Sequence, residues 1–141
     1  MSLEKINALK ARLAQLPDLN AFCQLHYQVN PNHFIGLKSV PNAKDLPAIA
    51  YELRSEKITI GRMADNQDDV LLFIQINNNE ESADGFTGLI HALEIAGIIV
   101  NAINQDQRIG NYFIEGEIEI TPIYPRALPF FTVAMQLKII N

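Results

Sequence analysis

A short apolar segment in the middle of the chain constrains the fold more than any other feature. Residues 70–76, VLLFIQI, are almost all apolar, which is typical of a central strand covered on both faces. The acidic loop 77–85 follows and leads into a helix predicted over residues 84–104, with Ser82 or Asp84 as its N-cap. A buried strand that runs into a long helix predicts a helix packed on a sheet.

The predicted helix 84–104 has an unusually wide apolar arc. Ile95, Ile98 and Ile99 lie beside the main stripe, so one sheet contact would not cover them all. We therefore expect the C-terminal half of this helix to be buried on two sides. The main stripe consists of Phe86, Leu89, Ile90, Leu93, Gly97, Val100 and Ile103.

The spacing of apolar residues in the first 46 positions divides this part of the chain into three segments. Apolar residues recur every three or four positions from Leu3 to Leu16, which predicts an amphipathic helix capped by Ser2 and ended by Pro17. Apolar and polar residues then alternate over 20–30, which favours a half-buried strand. The connection 30–46 is rich in Asn, Pro and Lys, contains a short predicted strand at 33–37, and is a candidate interface loop.

The remaining segments predict further strands. Residues 49–53 alternate, but Ile58 and Ile60 have the opposite parity, which indicates a bulge near Ser55 and Glu56. A polar stretch, 61–69, comes next. At the end of the chain two alternating segments, 114–120 and 131–139, form a hairpin-like pair, and the three prolines between them exclude a tight turn.

These elements predict a single α+β domain over residues 1–141. Its order is α-β-β-β-α-β-β, with a mostly antiparallel sheet of four to five strands and two helices packed on one face.

Composition limits the classes of function. The net charge is −5, and the 11 Lys and Arg residues are scattered, so sequence-specific nucleic-acid binding by a cationic face is not expected. The single cysteine, Cys23, excludes an internal disulfide and is expected to be buried. The first residues carry charges where a signal peptide needs an apolar stretch, so we expect a location in the reducing cytoplasm. The longest apolar run, 95–100, is six residues, so no membrane span is expected.

No catalytic or cofactor motif stands out. Three histidines and Cys23 lack metal-ligand spacing, and nucleophile-elbow and phosphate-loop motifs are absent from the sequence. His91 and Glu94 are three apart on the predicted helix, so they could form a general-base pair or a solvated surface pair. The loop 77–81 has oxygen ligands for Ca²⁺ but not the spacing of an EF-hand. We expect neither cofactor nor enzymatic activity.

Three glutamates form the most regular charge pattern. Glu115, Glu117 and Glu119 alternate along a predicted strand, which would put their carboxylates on one face about 7 Å apart. A solvated face, an assembly or channel surface and a metal or acid–base site all remain open, and Lys138 on the next strand would relieve their repulsion.

The pattern of elements resembles the tail-terminator, or tail-completion, proteins of tailed bacteriophages. The resemblance rests on the first helix and strand, on LPAIAY at 46–51, on the apolar strand that runs into helix 84–104, and on IEITPIY at 118–124 before a final strand over 130–140. It implies an α+β sandwich that forms a ring, commonly a hexamer, and binds the tail tube protein on one side and the head-completion or neck protein on the other. It also implies a location in the virion tail, after assembly in the host cytoplasm.

The leading hypothesis is therefore a structural ring protein that caps the tail tube, with the glutamates facing the DNA passage. A small-molecule-binding or regulatory α+β domain is the alternative. An enzyme that uses His91 with Glu94, or the glutamates, is the third possibility. The candidate interface or lumen residues are Phe34, Ile35, Leu37, Lys38, Arg62, Met63, Ile98, Ile99, Glu115, Glu117 and Glu119.

Overall fold

The computed structural model describes residues 2–37, 42–61, 66–123 and 129–141. Within them the chain forms three α-helices, one 3₁₀ turn and nine strands. The helices are α1 (Ser2–Ala14), α2 (Pro17–Tyr27) and α3 (Thr87–Gln105), and the 3₁₀ turn is Ala43–Asp45. The strands are β1 (Asn32–Ile35), β2 (Ala48–Ile58), β3 (Asn66–Asn77), β4 (Glu81–Ser82), β5 (Gly85–Phe86), β6 (Arg108–Ile109), β7 (Tyr112–Ile114), β8 (Glu119–Pro122) and β9 (Phe130–Ile140).

One mixed sheet of seven strands organises the described chain. Its order is β1-β2-β3-β9-β7-β6, and β8 also pairs with β9. β1 pairs with β2 in parallel, whereas the other pairs are antiparallel. The α+β class is confirmed. The expected four to five strands and two helices were too few, because short strands at the sheet edge and a second N-terminal helix escaped the periodicity argument.

The predicted strand over 20–30 is wrong, because this segment is helix α2. Pro17 is the first residue of α2, a position where its missing N–H is not needed. It was expected to end the first helix, but it begins the second one. Leu19 and Cys23, four residues apart, are the buried pair of α2. The burial of Cys23 is confirmed. The alternation that favoured a strand arose by coincidence from residues on both sides of this helix.

The three helices share a core with one face of the sheet. On β3, Val70, Leu72 and Ile74 are buried with the helices in this core. Leu71 and Phe73 point to the other face and are only half-buried. β3 is central, as predicted, but the expectation that both of its faces are covered is wrong for the described residues. The sheet thus has an inner face under helices and an outer face that is partly accessible.

α3 is the central helix, but its buried stripe differs from the predicted one. It begins at Thr87, after the β4–β5 hairpin, and its N-cap residue, Phe86, makes no side-chain capping bond. The predictions that the helix starts at residue 84 and that Ser82 or Asp84 caps it are therefore wrong. Leu93, expected inside, is 41% exposed, and Gly97 is exposed as well. The buried residues of α3 are Gly88, Ala92, Ile95, Ala96, Ile99 and Ile103.

The small residues of α3 explain why the helix is rotated about its axis relative to the predicted orientation. Gly88, Ala92 and Ala96 let the helix approach the sheet closely, and a Cβ on Gly88 would lie 2.5 Å from Cδ2 of Phe131. α3 is also long and apolar enough by composition to cross a membrane. Its buried residues instead belong to the core shared with the sheet.

Several local predictions are confirmed. The register of β2 against β3 shifts between Leu53 and Ser55, next to the predicted bulge. β1 lies where a short strand was predicted inside the connection 30–46. The expected antiparallel pair of 114–120 with 131–139 is confirmed in part: β7 and β8 both pair with β9, but residues 115–118 between them are not in a strand. Ser2 starts α1, but its Oγ has no hydrogen-bond partner among the described residues and does not cap the helix.

Candidate assembly surfaces

The residues proposed from sequence as interface or lumen candidates are scattered over the fold. Phe34 is half-buried on β1, where it pairs in register with Ala50 on the outer face. Ile35 is 49% exposed at the sheet edge. Leu37 is half-buried, and its N–H donates to Glu52 Oε1 over 2.7 Å. Lys38, Arg62 and Met63 lie outside the described residues.

The α3 candidates are core residues to different degrees. Ile99 is fully buried, so its prediction as an interface residue is wrong; the close approach of α3 to the sheet places it inside. Ile98 is partly buried and packs against the core. The wide apolar arc is therefore used mostly within the chain, because Ile95 and Ile99 lie in the core and Ile98 packs against it.

An apolar arm projects at one edge of the sheet. We define the arm as residues 53–61, which comprise the second half of β2 and the residues that follow it. β1 pairs with β2 only from Ala48 to Tyr51, so among the described residues the arm has a strand neighbour on one side alone, which is β3. Ile58 is 64% exposed and Ile60 is 95% exposed. Large apolar side chains on an open strand edge mark a surface suited to protein contact.

A groove lies at the opposite edge of the sheet. It has a volume of about 460 Å³ and lies between the C-terminal part of α3 and the segment that joins β7 to β8. Ile114, at its base, is buried, whereas Ile120 is 38% exposed. The residues that line the groove are Val100, Ile103, Asn104, Gln107, Ile114, Glu115, Gly116, Ile118 and Ile120.

The three glutamates do not form one strand face. β7 ends at Ile114 and β8 starts at Glu119, and between them Gly116 has a φ of +86°, a conformation that favours glycine. The backbone therefore bends, and Glu115, Glu117 and Glu119 are all exposed along the bend. The predicted regular row of carboxylates is wrong, because the chain bends between β7 and β8 and does not continue as one strand; Glu115 instead lies at the groove.

His91 belongs to a cluster between α2 and α3. Its Nδ1 is 2.7 Å from the hydroxyl of Tyr27, and its ring lies 4.3 Å from the ring of His26. Burial and the neighbouring charge of His26 lower the pKa of His91, while the charges of Glu94 and Glu80 act in the opposite direction. The expected partner Glu94 thus influences His91 electrostatically, but the ring nitrogen is used by Tyr27. This cluster joins two helices.

His33 makes a second buried contact that sequence analysis missed. Its Nδ1 lies 2.8 Å from the hydroxyl of Tyr51. Burial, assisted by the charge of Lys10, lowers the pKa of His33 to about 4, and burial raises the pKa of Tyr51. The parallel pairing of β1 with β2 brings these two side chains together, and no short sequence motif announces it. Over the described ranges, no group of three or more His, Cys, Asp or Glu side chains is placed to hold a metal ion.

Comparison with solved structures finds a chain with a similar fold. A chain from a structure described as the virion of a native gene transfer agent particle superposes with a TM-score of 0.57 and 11% sequence identity. The match covers 95% of this chain and 91% of that chain. No protein-family model matches the sequence, and no curated protein matches it. At this identity the similarity establishes a shared fold.

Proposed function

We propose that this protein is a structural component of a phage-like virion, where it forms a ring that caps the tail tube and joins the tail to the head or neck. The observation that carries the proposal is the match over more than nine-tenths of both chains to a chain of a gene transfer agent virion. Because whole chains correspond, the similarity is not that of a small motif inserted into an unrelated protein. The partners under this proposal are further copies of the chain, the tail tube protein and the head-completion protein.

The proposal also holds that the protein is not an enzyme. Its histidine contacts support this part, since His91 bonds to Tyr27 and His33 bonds to Tyr51 within the fold. A general base needs a ring nitrogen free to reach a substrate proton. The Nδ1 atoms of these two rings instead hold α2 to α3 and β1 to β2, and Nε2 of His33, which has no partner among the described residues, is buried.

Deletion of the gene in the cell that produces the particles tests the proposed function. We expect heads and tails to accumulate without joining, and a plasmid-borne copy of the gene to restore joined particles. A copy with an early stop codon is the control and should restore nothing. Joined particles in normal number and form after deletion would show that the proposed function is wrong.

The groove favours a second candidate function, a small-molecule-binding domain. Its volume of about 460 Å³ lies in the usual range for ligand pockets, and Val100, Ile103 and Ile118 give it apolar walls. A thermal-shift screen against apolar metabolites tests this candidate, since a ligand at about 100 times its Kd adds roughly 2.7 kcal/mol of stability. A compound that stabilises the protein, and loses its effect in a folded Ile120→Glu variant, would favour ligand binding over assembly.

A further inference from the structure

The arm has the properties of a docking element. Ile60 is almost entirely exposed and Ile58 largely so, and both sit next to a strand edge that lacks a neighbour in the described part of the chain. An isolated chain gains nothing from presenting two isoleucines to water, whereas burial of each against a partner is favourable. The arm therefore calls for an apolar acceptor.

The groove supplies a matching acceptor in size and polarity. Its volume of about 460 Å³ exceeds what one isoleucine side chain fills, so it has room for both Ile58 and Ile60. Ile118 and Ile120 line it from the sheet side, and Val100 lines it from α3. An aliphatic side chain placed there would contact apolar walls on two sides.

The charges of the two surfaces are complementary. The arm, residues 53–61, contains two basic residues, Arg54 and the exposed Lys57, and one acidic residue, Glu56. Residues 114–120 contain three glutamates and no basic residue. Lys138 lies near Gly116 and offsets part of this negative charge. The remaining excess of carboxylates favours a basic partner and orients its approach.

The arm and the groove lie on different parts of the sheet, which favours a contact between the arm of one copy and the groove of another. The arm belongs to β2 and the groove to the β7–β8 edge, and β3 and β9 stand between them in the sheet order. A copy that inserts its arm into a neighbour still presents its own groove to another copy. Such a head-to-tail contact repeats and closes into a ring when the rotation between copies allows it.

We propose that the arm of one copy docks in the groove of the next, with Ile58 and Ile60 covered by the walls at Val100, Ile118 and Ile120. This inference rests on the proposed function, because it supplies the contact that builds the ring. The occupant of the groove is thus a second copy of this chain.

Light scattering over a concentration series tests the contact with single variants. Ile60→Asp on the arm and Ile120→Glu in the groove should each weaken self-association by at least about tenfold, as expected for loss of one buried isoleucine. Leu25→Asp is the matched control, because Leu25 is 72% exposed on α2 and belongs to neither the arm nor the groove lining. Circular dichroism confirms that each variant is folded. Equal association of Ile60→Asp and wild type, or a wild type that stays monomeric, would overturn the proposal.

A mixing experiment tests the head-to-tail geometry. The Ile60→Asp variant keeps an intact groove, and the Ile120→Glu variant keeps an intact arm. Each alone should be monomeric, whereas an equimolar mixture should form dimers that hold one intact contact and extend no further. If arms paired with arms, Ile120→Glu alone would assemble like wild type, and this result would overturn the proposal.

The two proposals fail in different experiments. A wild-type phenotype after gene deletion would contradict the virion function, whatever the arm does. Unjoined particles after deletion, together with normal assembly of the Ile60→Asp variant, would leave the virion function in place and refute the arm–groove contact.

Discussion

Lys5 Nζ lies 3.3 Å from Asp68 Oδ1, and both side chains are buried. This ion pair joins α1 to β3 inside the core. Lys5 also approaches the backbone oxygen of Asn66, and its ammonium lies 5.7 Å from the ring centre of Tyr112. The second oxygen of Asp68, Oδ2, has no hydrogen-bond partner in the described ranges. Removal of one partner would therefore leave a poorly solvated charge in the core.

Replacement of Lys5 by Met should lower the free energy of unfolding by about 3–5 kcal/mol, the usual cost of leaving a buried charge unpaired. Urea unfolding at neutral pH measures the change. The double variant Lys5→Met/Asp68→Leu is the control, because replacement of both charges by apolar groups should recover most of the loss. A loss below about 1 kcal/mol in the single variant, typical of exposed pairs, would contradict the burial of this pair.

Two glycines of α3 should respond in opposite directions to the same substitution. Gly88→Ala should destabilise the protein by about 1–3 kcal/mol, because the new Cβ would lie 2.5 Å from Phe131 and 2.8 Å from the backbone oxygen of Asn78. Gly97→Ala should stabilise it by about 0.5–1 kcal/mol, since a Cβ there meets nothing within 4 Å. Thermal unfolding of both variants checks that α3 buries Gly88 and exposes Gly97. A Gly88→Ala variant more stable than the Gly97→Ala variant would refute this orientation.

Arg12 should stabilise the packing of α1 on the end of α3. Its guanidinium donates to the backbone oxygens of Ala102 over 2.8 Å and Arg108 over 2.9 Å, and also to that of Asp106. Arg12→Ala should cost about 1–3 kcal/mol, as expected for hydrogen bonds from a charged group. Arg12→Lys should cost less, because it keeps the charge but not the fork of donors. Chemical denaturation should rank wild type, Arg12→Lys and Arg12→Ala in that order; equal stability of all three would contradict the contact.

The stability of the protein should decrease as the pH falls from about 6.5 to about 4. Burial lowers the pKa of His33 to about 4, so over this range the unfolded chain binds a proton that the folded chain does not. Unfolding free energies at several pH values across this window should fall less steeply in a His33→Gln variant than in wild type. His91 titrates in the same direction, so His91→Gln serves as a comparison. An unchanged slope in His33→Gln would contradict the prediction.

The order of the main elements could be predicted where periodicity was unambiguous. β3 followed from its continuous apolar run, the bulge in β2 from a change of parity, and the pairing with β9 from alternation. α2 could not be recognised, because 11 residues with mixed periodicity fit either a helix or a strand. The rotation of α3 also escaped, since the predicted stripe followed the largest side chains, whereas close packing placed Gly88, Ala92 and Ala96 inside.

The candidate surfaces were harder to predict than the fold. The groove depends on the bend at Gly116, and neither periodicity nor a motif in the sequence reveals a positive φ. Sequence analysis used Ile58 and Ile60 only to predict the bulge, and it did not predict that both side chains are exposed. Sequence analysis did not identify Lys5 as a core residue, although it lies four residues before the buried Leu9 and so shares its face. That spacing was the available signal.

Cryo-electron microscopy of purified particles from the producing cell tests the central claim most directly. We predict a closed ring of this chain at the end of the tail that meets the head, with the arm of each copy against the groove of the next. Particles with the normal tail-to-head junction but without this chain would contradict the account.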